Sequence, residues 1–291
     1  MTGSGMGCPD WPKCFGLWVP PTDESDLPVN YKELYQAKYK NKQIKCDDDL
    51  SFLEFNVFKT WTEYINRLMG AVAGLCCLFL TISSFFTKNK KIIFGSLFLI
   101  FLFAFQAWMG SVVVYSVLDP INITIHMLIA LLILAILFLL FRITLLSKIK
   151  IDNVKKYWVF SALIISLIQI ILGTQVREGV DQILSPCNSA EFITNLNFNF
   201  EIHRTIAWLV IVSNFSLLYF YRKSIDTYIE LKTILFILIL LIISGLFMTY
   251  KNLLGIGQLL HLSCAVGLFI AQFSLLLKHY RFSILKIPSL Q

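Results

Sequence analysis

The chain has 291 residues, of which 57% are hydrophobic and only 15% charged. A soluble domain carries about 25% charged residues, so this composition excludes an ordinary water-soluble protein and marks a membrane one. The net charge of +7 does not call for nucleic acid, because the basic residues gather in short connections between apolar stretches. Lys and Arg in such connections mark the cytoplasmic face of a membrane protein.

In chain order, the first element is a polar segment, residues 1–60, containing GCPDWPKCFGLWVPPT from Gly7 to Thr22. Seven apolar stretches follow, at Trp61–Phe86, Ile92–Ser116, Ile121–Phe141, Tyr157–Val176, His203–Tyr221, Thr233–Tyr250 and Gly257–Leu277. Each is long enough, or nearly so, for the roughly 20 residues that a spanning helix needs. In lipid each must satisfy its own backbone polar groups, which predicts helices. The fold class is therefore an all-α polytopic membrane protein.

Basic residues stand at Lys88, Lys90 and Lys91, at Arg142, Lys148, Lys150, Lys155 and Lys156, and at Arg222, Lys223 and Lys232. Lys278, Arg281 and Lys286 continue the pattern into the tail. These connections and the C-terminus are expected on the cytoplasmic side, with residues 1–60 and the 177–200 loop facing outward. The organisation that follows is an outer N-terminal segment (1–60), first-half helices (61–142), a cytoplasmic linker (143–156), a second half (157–279) and a cytoplasmic tail (280–291). MTGSGMG has no apolar core of the kind a secretion signal needs. An outward-facing polar segment is therefore expected to follow a further helix of roughly 20 residues, encoded upstream of Met1; the alternative is a true seven-helix protein with an outside N-terminus.

The two halves repeat. TEYINRLMGAV (Thr62–Val72) aligns with FEIHRTIAWLV (Phe200–Val210), placing Asn66-Arg67 on His203-Arg204. Gly110 precedes His126 by sixteen residues, as Gly245 precedes His261. Repeated membrane halves often frame a site at their interface. The second half begins with a helix whose first-half counterpart would precede TGSGMGCPD, which again calls for a helix upstream.

Of the four histidines, His279 sits beside Lys278 and Arg281 and is expected to be solvated. His126, His203 and His261 come from three helices at similar depth. Ionisable residues inside a membrane are costly and face a bundle interior, a cavity or a partner. Interhelical hydrogen bonding explains a lone histidine; repeat-related histidines at one depth point further. Zinc prefers four clustered ligands, and no such cluster is present. A haem iron takes two axial ligands from opposite faces, which suits His203 and His261. Arg67 and Arg204 are candidates for haem carboxylates or for anchoring helix ends at the interface. Glu63 shares a helix face with Asn66 and Arg67; it reads either as the partner of Arg67 or as a carboxylate aimed at a reacting centre.

TGSGMGCPDWPKC, followed by EYINR, GTQVRE, EIHR and two later helices bearing His, resembles the haem A synthase family along almost the whole chain. The resemblance implies eight helices in two four-helix halves, of which seven are present here. It implies oxidation of a methyl group of haem O to a formyl, giving haem A for cytochrome oxidase. Carried over by position, His203 and His261 match the ligands of a resident haem b, and His126 matches a ligand of the substrate haem. Glu63 matches the family's essential carboxylate, and Cys8 and Cys14 match a disulfide pair in an outer cap over the substrate site. Asn66 stands where many members carry a second substrate-site His, and a lone Cys187 stands where a pair is common. Cys46 and Cys187 are the second candidate pair, and Cys76, Cys77 and Cys264 are expected to pack as small apolar residues.

The reading is a haem-oxidising enzyme of the bacterial inner membrane that relays electrons from an unidentified donor through haem b. It takes haem O made by haem O synthase, is surrounded by lipid and binds no nucleic acid. The alternatives are a diheme electron-transfer cytochrome and a non-catalytic haem-binding relative.

Overall fold

A computed structural model describes residues 7–33, 55–116, 118–144, 156–183, 190–251 and 254–279. Among them, seven helices are long and apolar enough to cross a membrane, and no sheet forms. They are α1 (Val57–Ser84), α2 (Lys90–Tyr115), α3 (Pro120–Thr144), α4 (Lys156–Ile183), α5 (Ala190–Phe220), α6 (Ile229–Lys251) and α7 (Leu254–Leu277). The all-α, membrane-spanning architecture expected from the sequence is the one observed.

Local chemistry sets several helix starts. Asn56 caps α1 by accepting the Lys59 N–H, and Asn89 caps α2 by accepting the Lys91 N–H. Such caps satisfy donors that have no partner inside the helix. Pro120 opens α3, where its missing N–H costs nothing. Asn and Pro just ahead of apolar runs thus turn composition into defined helix starts.

The second half is a ring. α4 packs on α5, α5 on α6, α6 on α7, and α7 back on α4. α5 and α7 are therefore diagonal across the ring. Leu217, Leu231, Ile234 and Leu275 are fully buried in its core, together with a polar knot in which Gln272 donates to Ser166 at 3.0 Å and to Asn214 at 2.9 Å. The first half is an open row in which α1 packs on α2 and α2 on α3. Thr81 donates to the Ser96 carbonyl at 3.1 Å and Ser96 to Ser84 at 2.8 Å, stitching α1 to α2. α3 joins the halves by packing on α4 and α7. There the Thr124 and Thr174 hydroxyls meet at 2.9 Å, and Gln175 donates to Thr124 at 2.8 Å.

Three expectations are corrected. Residues 177–200 are not simply a loop: α4 runs on to Ile183 and α5 starts at Ala190. A helix can outrun the apolar core because its backbone bonds are internal and its polar side chains tolerate water. His279 is not solvated. It is buried, with Nε2 2.6 Å from the Tyr221 hydroxyl, beside an ion pair of Lys278 and Glu230 at 2.5 Å. The third correction is Cys76, which is exposed on α1, whereas Cys77 is buried. Cys46, Cys187 and residues 280–291 lie outside the described residues.

Candidate functional site

Three helix hairpins, α2–α3, α4–α5 and α6–α7, place their histidines by one device. In each, a glycine on the first helix faces a histidine ring on the second. A Cβ added at Gly110 would lie 3.6 Å from His126 Cε1, one at Gly173 3.3 Å from His203 Cε1, and one at Gly245 3.5 Å from His261 Cε1. The glycines leave the Cε1 corner of each imidazole room to approach the neighbouring helix. This gives the sixteen-residue Gly-to-His spacing its physical meaning, and adds a third pair that the repeat did not disclose.

Side chains near these glycines hold the rings. One turn before its glycine, Gln106 donates to the His126 carbonyl at 3.1 Å and stands 3.1 Å from His126 Nε2. Gln169 does the same for His203, at 2.9 Å from the carbonyl and 3.1 Å from Nδ1. In the third hairpin Ser244 stands 2.9 Å from His261 Nδ1. Sequence reasoning missed both glutamines, although the signal existed as Gln-x-x-x-Gly in QAWMG and QIILG.

Because α5 and α7 are diagonal, His203 and His261 face each other across the ring, their centroids 6.4 Å apart and their planes at 62°. Two metal–nitrogen bonds of about 2 Å each, plus the reach from nitrogen to ring centre on either side, sum to roughly 6 Å. The pair thus has the separation of two imidazoles on opposite faces of one metal ion. No group of three or more His, Cys, Asp or Glu is placed for a metal among the described residues. Two opposed imidazoles alone suit an iron whose other four bonds come from a macrocycle. The donor set and the spacing both fit haem.

His126 stands alone. Its Nδ1 is buried without a hydrogen-bond partner, as is Gln106 Oε1. Asn66, on the helix that corresponds to α5, is exposed. Arg204 is exposed as well, its guanidinium 5.9 Å from the Phe200 ring.

The Gly7–Leu17 loop packs on the end of the first half. Cys8 and Cys14 form a disulfide with Cα atoms 4.9 Å apart, and both are fully buried. Asp10 accepts the Phe15 and Gly16 N–H groups at 2.7 and 2.9 Å. This supports a turn in which both residues have positive φ, at 53° and 79°. Phe15 packs edge-on against Tyr31 and Phe55, each at 5.6 Å. The loop reaches α2 through the Tyr115 hydroxyl, which donates to the Trp11 carbonyl at 3.0 Å. Glu63 and Arg67 pair with each other, and both turn to this loop's backbone.

A model of the COX15-CtaA family, cytochrome oxidase assembly protein, matches residues 1–273. The chain belongs to this family. Within it, 131 residues are 28% identical to the heme A synthase of Shewanella oneidensis, covering 44% of this chain and 34% of that relative. The matched stretch spans about a third of the relative's length. No solved structure matches. Membership of a cytochrome oxidase assembly family agrees with a helical bundle long and apolar enough to cross a membrane.

Proposed function

We propose that the protein is a haem A synthase, oxidising the methyl substituent of haem O to a formyl group. In this reading haem b is held by His203 and His261, and the substrate haem by His126. The observation that carries it is the pair of opposed imidazoles at 6.4 Å on diagonal helices, in a chain whose family assembles cytochrome oxidase. When bound, haem supplies the redox chemistry.

The chain's own residues supply position. Gln169 and Ser244 fix the two second-half rings, and Gln106 fixes the His126 ring. Asn66 is a poor iron ligand, so the reading gives the substrate haem a single protein ligand and leaves its other face open to oxygen. The disulfide loop closes the same end of the first half, on the outer side of a bacterial inner membrane. Of the two candidate arginines, Arg67 is engaged by the loop backbone and Glu63, which leaves Arg204 for a haem carboxylate. Haem O synthase supplies the substrate, and an unidentified donor outside this chain supplies the electrons.

The test is a chromatographic haem extract from cells making this protein beside a haem O synthase. Haem A is expected with the unmutated chain. His203→Ala and His261→Ala should each abolish both haem A and the low-spin bis-imidazole spectrum of the purified protein. A chain that keeps that spectrum while leaving haem O unchanged would be the electron-transfer cytochrome instead.

A further inference from the structure

Thr60, Glu63 and Arg67 fall on one stripe of α1, at i, i+3 and i+7. Between them they take every backbone polar group of two consecutive loop residues. Glu63 Oε2 accepts the Gly7 N–H at 2.7 Å and the Cys8 N–H at 3.0 Å. Thr60, fully buried, donates to the Gly7 carbonyl at 2.8 Å. Arg67 donates to the Cys8 carbonyl at 3.3 Å, and further on to Asp10 and Lys13 at 2.7 and 3.0 Å. Its remaining engagement is with Glu63 Oε1.

We propose that Thr60, Glu63 and Arg67 form a latch that holds the Cys8–Cys14 loop shut on the first half, and that Glu63 serves turnover as a positioning residue through this latch. The second clause rests on the haem-oxidising reading; the first does not. Both oxygens of Glu63 are occupied by protein donors, so the carboxylate is committed to the loop. Hydrogen bonds to ionised groups are the strong ones.

The latch also has a polarity. A carboxylate only accepts and a guanidinium only donates, so Glu63 can read only N–H groups and Arg67 only carbonyls. The fit extends to the backbone: a Cβ at Gly7 would lie 2.4 Å from the Lys59 carbonyl oxygen. Any side chain at position 7 therefore forces the loop off α1 without altering the latch residues themselves.

The experiment follows reduction of the Cys8–Cys14 disulfide in the purified full-length chain by a water-soluble phosphine, with alkylation and peptide mass analysis. Helix content by circular dichroism checks folding. Glu63→Gln, Arg67→Ala and Gly7→Ala should each speed reduction about tenfold or more, as expected for losing charge-assisted hydrogen bonds that hold a local closed state. The Glu63→Gln/Arg67→Ala double variant should be no faster than the faster single one. Exchanging the two residues (Glu63→Arg with Arg67→Glu) should leave reduction fast, because it rebuilds an ion pair of the wrong polarity. If Gly7→Ala does not fold, Thr60→Val serves in its place.

Reduction at the unmutated rate in the single variants, or protection restored by the exchange, overturns the latch. Haem extracts then test the second clause. Haem A should fall with Gly7→Ala in step with Glu63→Gln. If Gly7→Ala opens the loop yet makes normal haem A while Glu63→Gln makes none, Glu63 touches the substrate and the positioning role is wrong. The reduction assay involves no haem, so it stands or falls apart from the proposed function.

Discussion

Gly173 and His203 are the tightest of the three glycine–histidine contacts. The 3.3 Å that a Cβ at Gly173 would leave is closer than comfortable van der Waals contact, whereas the 3.5 Å at Gly245 and 3.6 Å at Gly110 are ordinary. The neighbour at Gly173 is a ring held by Gln169 on one side and set opposite His261 on the other. It has little freedom to yield. Gly173→Ala is therefore expected to destabilise the protein by about 1–3 kcal/mol, the usual cost of overpacking a filled interior. Gly245→Ala should change stability by well under half as much, because its contact is tolerable and alanine removes backbone freedom from the unfolded chain. Thermal unfolding in detergent, followed by circular dichroism, compares the two. Equal losses would mean that the glycines serve something other than ring clearance.

At the scale of helices, α6 and α7 are joined by a buried charge pair at the end of α7, beside His279. Glu230 and Lys278 are each 8% exposed. Lys278 Nζ meets Glu230 Oε2 at 2.5 Å, and Ser274 donates to Glu230 Oε1 at 2.8 Å. Lys278 also lies 5.2 Å from the Tyr228 ring centre. Removing one partner leaves the other buried and uncompensated, at a cost of about 3–5 kcal/mol. Lys278→Met should therefore unfold far more readily than the Lys278→Met/Glu230→Gln double variant, in which no lone charge remains. A double variant less stable than the single would show that the pair contributes more by attraction than it costs in desolvation. The sequence placed Lys278 with the solvated basic residues of the tail. Its partner lies 48 positions away on another helix, and local charge patterning carries no information about that distance.

For the whole molecule, the two halves meet where α3 lies on α4 and α7. His126 on α3 is not part of the opposed pair on α5 and α7. Under the proposed function, His126→Ala should abolish substrate-haem binding and haem A formation while sparing the low-spin spectrum of the second half. Loss of that spectrum in His126→Ala would mean that the halves share one site. The Thr124–Thr174–Gln175 contact is the polar join between them. Thr124→Val should weaken it by about 0.6 kcal/mol, up to about 1.7 kcal/mol, the range for interhelical hydrogen bonds in membranes. Measuring the variant's unfolding midpoint checks this.

The sequence by itself determined the helices, their number among the described residues, and the histidines worth following. Apolar length dictates a spanning helix because the backbone has no other way to satisfy its hydrogen bonds in lipid. The resemblance carried by CPDWPKC, EYINR and EIHR also singled out the disulfide pair Cys8–Cys14, which the structure forms. Three things were decided only by tertiary structure. The diagonal placement of α5 and α7, which sets His203 opposite His261, follows from the order in which four helices close a ring. The neutral partners Gln106, Gln169 and Ser244 emerged only when each helix met the next, because even the Gln-x-x-x-Gly spacing does not specify which group on another helix the amide will face. The turn of Glu63 and Arg67 toward the loop came from backbone groups, the N–H of Gly7 and Cys8 and the carbonyls of Cys8, Asp10 and Lys13. Every residue carries such groups, and only the folded chain selects which of them a side chain meets.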